Sequence, residues 1–134
     1  MRHSWVLLAL VVGGCGATTK TELEHSAPQA QIFRYPDNYQ AIFRRVSESA
    51  KRCLAGEFLL AHGRMAIDAQ LYSDLGFGEI SHYLSHALLP RHHFSAKIER
   101  DGEGSKMTIK ADAAMFIRFA DQWARAQPNE RGCM

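Results

Sequence analysis

Enzyme fingerprints are missing from this chain: it has no Gly-x-Ser-x-Gly elbow, no phosphate-binding loop and no dinucleotide-binding glycine pattern. Long apolar runs are missing too. The stretch from Trp5 to Val12 has eight residues, where about 20 are needed to cross a bilayer, so a permanent transmembrane span is not expected. Neither sign of charge dominates, with 16 basic against 14 acidic side chains, and that excludes the basic field that nucleic-acid binding requires. There are no internal repeats. Cysteine is scarce: Cys15, Cys53 and Cys133 are the only three.

What is present begins with an address. Arg2 and His3 stand ahead of the short apolar run, and two glycines lead to Cys15, the order of a secretory signal peptide over residues 1–14. Val12-Gly13-Gly14-Cys15 resembles the lipobox of bacterial lipoproteins, with Val12 where Leu is usual. That resemblance implies a diacylglyceryl thioether on Cys15, cleavage just before it, and further acylation of the new amine. Two or more acyl chains anchor stably where one holds only marginally. Gly16 is not the aspartate that retains many such proteins at the inner membrane, so the resemblance favours the outer membrane, facing the periplasm.

With Cys15 lipidated, Cys53 and Cys133 remain, and an even remainder in an oxidising compartment predicts a disulfide between them. The mature chain of roughly 120 residues suits one domain with one core. Residues 15–34 read as the lipidated cysteine and a flexible tether, rich in Thr, Ser, Ala and Gln, and residues 35–134 as a single α+β domain.

That domain opens with Asp37 and Gln40 at capping-box spacing. Tyr39, Ile42, Phe43, Val46, Ala50, Cys53 and Leu54 then recur at helical period, and Gly56 stops the helix. From Arg64 to Tyr72 the period changes to two, with Met65, Ile67, Ala69 and Leu71 on one side. Phe94, Ala96 and Ile98, then Met107 and Ile109, repeat that alternation around a hairpin at Asp101-Gly102-Glu103-Gly104. Residues 79–89 fit either a strand or a helix, and the strand is favoured. Asp112 is expected to cap a last helix with Phe116, Phe119, Ala120 and Trp123 on its buried stripe. Helix, four strands, helix gives a two-layer sandwich: a four-stranded antiparallel sheet with both helices on one face. In size, anchor and architecture the chain resembles small proteobacterial envelope lipoproteins, including accessory subunits of the outer-membrane barrel-assembly machinery.

Few residues offer chemistry. On a helix His82 and His86 would share a face at zinc-site spacing, but on a strand they stand about 13 Å apart, too far for one ion. With His92 and His93 they are expected to be surface or loop histidines, so no metal and no cofactor is assigned. Arg44, Arg45, Lys51 and Arg52, with Arg34 upstream, could meet anionic head groups, although Glu48 stands four residues from both Arg44 and Arg52 and should pair with them. Leu75 and Phe77 place apolar side chains in a strand connection and are the candidate partner-binding residues. Asp68, Asp74 and Glu79 could make an acid and base pair, but clustered carboxylates are common in soluble proteins. The expected protein is a lipid-anchored envelope component without catalytic residues, a binding or structural module for another envelope protein. The alternative is a small periplasmic hydrolase or metal-binding protein.

Overall fold

The structure, a computed structural model, describes residues 19–58, 63–85, 90–127, 130 and 132–133. Its elements in chain order are α1 (Lys20–Ser26), β1 (Gln29–Tyr35), α2 (Tyr39–Leu54), β2 (Gly56–Phe58), β3 (Gly63–Tyr72), β4 (Phe77–Ser85), β5 (Arg91–Asp101), β6 (Gly104–Ala111) and α3 (Ala114–Arg125). All strands join one antiparallel sheet in the order β1-β6-β5-β4-β3-β2. The chain is therefore α+β, and β3 to β6 form the expected meander. The favoured strand reading of residues 79–89 holds as far as Ser85, and 86–89 lie outside the described residues.

Alternation along the strands sorts the two faces of the sheet. Ile80, Phe94, Ala96, Ile98, Met107 and Ile109 are fully buried on one face, each of the larger side chains worth about 1.5–3 kcal/mol relative to exposure. Tyr39, Ile42, Val46 and Ala50 of α2, with Phe116, Ile117, Ala120 and Trp123 of α3, close that core from above. Close approach is built in at Gly78, where an added Cβ would collide with the Phe43 ring of α2. The hairpin at residues 101–104 forms as expected, with Gly102 at φ +61°, a conformation glycine adopts without strain.

Four expectations need correction. The sheet has six strands, because β1 and the three-residue β2 add an edge on each side. Of the tether read over residues 15–34, the described part from residue 19 onward forms α1 and β1, and residues 15–18 lie outside the described residues. Thr19 caps α1 by accepting from the Glu22 amide at 3.1 Å, and β1 pairs with β6 along its whole length, from Gln29 opposite Ala111 to Tyr35 opposite Ser105. The third correction concerns layers. While α2 and α3 share the core face, α1 lies on the opposite face, where Glu24 accepts from Ser95 Oγ at 3.0 Å and the Lys20 ammonium reaches Glu79 at 2.7 Å. Leu23, 1% exposed, is the single apolar side chain α1 buries.

The fourth correction concerns caps. Asn38, not Asp37, caps α2, accepting from the Gln40 amide at 2.7 Å, and Asp37 pairs with the Arg45 guanidinium. At α3 the N-cap is Ala113, with no side-chain hydrogen bond, because Asp112 is turned toward β5.

The Cys53–Cys133 disulfide is present, with Cα atoms 5.4 Å apart. Its path follows from the layer geometry. At the end of α3 the Ala126 carbonyl accepts from Arg45, 3.3 Å away in the first half of α2, so α3 runs away from Cys53. The tail then doubles back to the last turn of α2.

Candidate functional site

The unusual chemistry of this domain sits at the end of the sheet where β4 and β5 meet the start of α3. It originates in a one-residue irregularity. His82 pairs with Phe94, but the next residue, Tyr83, pairs with His92, so His93 is an extra residue in β5. A bulge of this kind re-aims a side chain. His93 joins Phe94 on the core side, and its carbonyl accepts from the Asp112 amide at 2.9 Å. Its ring Nδ1 meets Asp112 Oδ2 at 2.8 Å, and Arg91 approaches the same oxygen at 3.5 Å. The Asp112 carboxylate can only accept at that contact, so it orients the imidazole edge of His93 and places Nε2 toward the interior.

Beside this pair lies His82, 1% exposed, its ring 5.2 Å from His93, 5.6 Å from Phe94 and 5.3 Å from Phe116. Among the described residues, Nε2 of His93 is buried with no hydrogen-bond partner, and the two buried ring nitrogens of His82 have none beyond the nearby Leu54 backbone. Burial is the main reason the pKa of His82 falls to about 4. The neighbouring His93 pushes the same way, while Asp112 and the nearby Leu54 carbonyl oppose. His92 is lowered as well, by burial first, then by His93 and Lys20, and its ring stacks on Tyr83 at 5.4 Å. The result is a neutral, aromatic-walled imidazole beside an oriented His–Asp pair. That is half of a general-base or ligand-orienting arrangement, and no described nucleophile bonds to it.

The candidate site residues fall as follows. His86 lies outside the described residues. His82 neighbours cross-strand His93, and His82, His92 and His93 lie in strands, at least partly buried, where surface or loop positions were expected. Among the described residues no group of three His, Cys, Asp or Glu side chains is placed to share a metal ion. Asp68 and Glu79 sit on the outer face of β3 and β4. Asp68 accepts weakly from Gln70 at 3.4 Å, Glu79 holds Lys20, and Asp74 stands apart in the turn 73–76, so they form no acid and base pair.

Leu75, 65% exposed, presents itself freely at that turn. Phe77 is half-buried on the outer face of β4 under the Lys97 ammonium, 4.7 Å from its ring, and against Tyr72 at 4.9 Å. Arg44, Arg45 and Arg52 of α2 line a groove of ≈ 570 Å³ beside α3, with Glu48 and Trp123 among its other walls, while Lys51 is not part of it. Glu48 forms an ion pair with neither Arg44 nor Arg52 among the described residues, against expectation. Arg52 donates instead to Ser49 Oγ at 3.3 Å. The Trp123 indole N–H is buried there without a partner.

Sequence reasoning missed the His82–His93–Asp112 cluster because a bulge leaves no mark in hydropathy. The one visible signal was adjacency, His92-His93 beside a strand, since consecutive strand residues otherwise point to opposite faces. No protein-family model, curated protein or solved structure matches this chain, so its chemistry rests on these residues alone.

Proposed function

We propose that this chain is an exported lipoprotein of the bacterial envelope, anchored through Cys15 in the outer membrane facing the periplasm, whose domain is a binding or structural module for another envelope protein. The Cys53–Cys133 disulfide carries the reading. It suits an oxidising compartment, and by pairing two of three cysteines it leaves Cys15, at the end of the lipobox, as the single cysteine for another chemistry. Among the described residues no helix is long and apolar enough to cross a membrane. Exposed Leu75 and the groove beside α2, with uncommitted Arg44 and Glu48, offer surfaces to a protein partner.

Cys15→Ser is the test. The wild-type chain is expected in the membrane fraction with the mass of an acylated mature protein, and the variant as an unprocessed, unlipidated form. A variant processed and pelleted like wild type would remove the anchor from the reading.

A second reading, a small hydrolase or metal-binding protein, is favoured by the His93–Asp112 pair and the buried nitrogens beside it. Elemental analysis of untagged protein separates the two. The first reading expects zinc and copper well below one equivalent. A full equivalent, lost on His82→Ala, would establish the second.

A further inference from the structure

We infer that the outer face of the sheet, the one α1 crosses, is the surface turned toward the lipid bilayer, and that α1 is the clamp that fixes this orientation. The inference rests on the proposed anchoring through Cys15 and adds to it which side of the domain meets the membrane.

The path of α1 is the first ground. Lys20 stands on Glu79 of β4, Glu24 accepts from Ser95 of β5, and the Lys110 ammonium of β6 donates to the Glu24 carbonyl. The helix thus crosses from the middle of the sheet toward the edge where β1 begins. Leu23 is fully sequestered beneath it, so α1 is seated on the sheet and not merely near it.

The second ground is the length of chain from that seat to the anchor. Cys15 is four residues before Thr19, the cap of α1, and four residues span at most about 14 Å. A free tether over residues 16–34 would have stretched to roughly 65 Å and left the domain free to turn. With α1 seated, the acyl chains enter the bilayer within about 14 Å of Thr19, at the start of the helix that lies on the outer face. The arginines of α2 lie on the far side of the sheet, behind a layer spacing of roughly 10 Å and a helix of about 10 Å diameter. Contact between those arginines and head groups, the less favoured reading of the sequence, is therefore directed away from the anchor.

The composition of the face agrees. Ile32 is 56% exposed at the centre of β1, opposite Thr108, with Arg34 opposite Lys106 one pair further on. Arg34 is held by Asp101 and Lys106 by Glu99, which keeps the face close to neutral. An exposed aliphatic side chain among long cationic ones suits the boundary between head groups and acyl chains.

The test uses the full chain, lipid-bearing and in its own membrane, with a photoreactive phenylalanine analogue at Ile32 or at Arg44, both exposed positions. Phospholipid adducts are read by mass. Adducts at position 32 are expected to exceed those at position 44 several-fold. Adding Leu23→Asp, which should unseat α1 while leaving the core untouched, is expected to bring the two positions level, with a melting temperature close to wild type. Equal or greater labelling at position 44 in the unmodified background would overturn the orientation, and so would a ratio unmoved by Leu23→Asp. If the chain is found in the aqueous fraction, the anchoring through Cys15 fails, and the orientation with it.

Discussion

Replacing Cys53 and Cys133 together with alanine is expected to lower stability by about 4.5 kcal/mol and the melting temperature by more than about 10 °C. The bridge spans a sequence separation of 80, so in the chain-entropy model its removal frees almost the whole domain in the unfolded state. The folded state gives little back. Cys133 is exposed, and with Glu130 and Gly132 it borders a cavity shared with Ser49 of α2 and Trp123 of α3, so little apolar surface is buried there. Thermal unfolding of the double variant, and of wild type with and without a reductant, measures the effect. A melting temperature within about 3 °C of wild type would mean that the tail is held by packing and that the crosslink contributes nothing.

The second large effect is a dependence on pH centred on His82. Its folded-state pKa is lowered to about 4 from an ordinary value of 6.5, so the unfolded chain takes up a proton there before the folded protein does. The stabilisation is therefore fully present above pH 6.5 and is lost as pH falls from 6.5 toward 4. It amounts to at most about 3 kcal/mol over that window. Glu99 adds a separate acid limb. It is held below the ordinary carboxylate value of 4.5, chiefly by its hydrogen bond from Lys97, so its contribution is lost further down as pH falls through its folded value. His82→Leu removes the first limb and keeps the second. The unfolding free energy of the variant in urea should stay within about 1.5 kcal/mol of wild type at pH 7.5 and should decline less steeply than wild type between pH 6.5 and 5, the remaining slope coming from His92, whose pKa is also lowered. Parallel profiles for the two proteins would show that His82 is not the group responsible.

How far the sequence could be read depended on what each element uses to hold its place. The helix from Tyr39 to Leu54 buries a stripe of side chains, and that stripe is written in the spacing of Tyr39, Ile42, Val46 and Ala50. The meander was visible for the same reason, through alternation in β3, β5 and β6. β1 is held by its backbone: its inward positions, Gln29, Gln31, Phe33 and Tyr35, are half polar, and its exposed Ile32 points outward. An edge strand attached by main-chain pairing carries no apolar period to find. α1 buries one side chain and has no period at all. Asp112 fits a helix cap as well as any acid does, and only the bulge at His93 explains why it turns to β5.

The pairing of β1 with β6 also sets the order in which this fold can be assembled. Among the described residues the first strand of the sheet pairs with the last one alone, Gln29 opposite Ala111, whereas each step of β3 to β6 joins neighbours in the chain. The meander and α2 can gather by short loop closures, but the N-terminal strand has to wait for nearly the whole domain to be in place. For a chain that crosses a membrane with its N-terminus leading, residues 29–35 would arrive first and dock last. During that interval both β1 and the open edge of β6 expose unpaired main-chain groups, the period in which such a chain is most open to pairing with a neighbour.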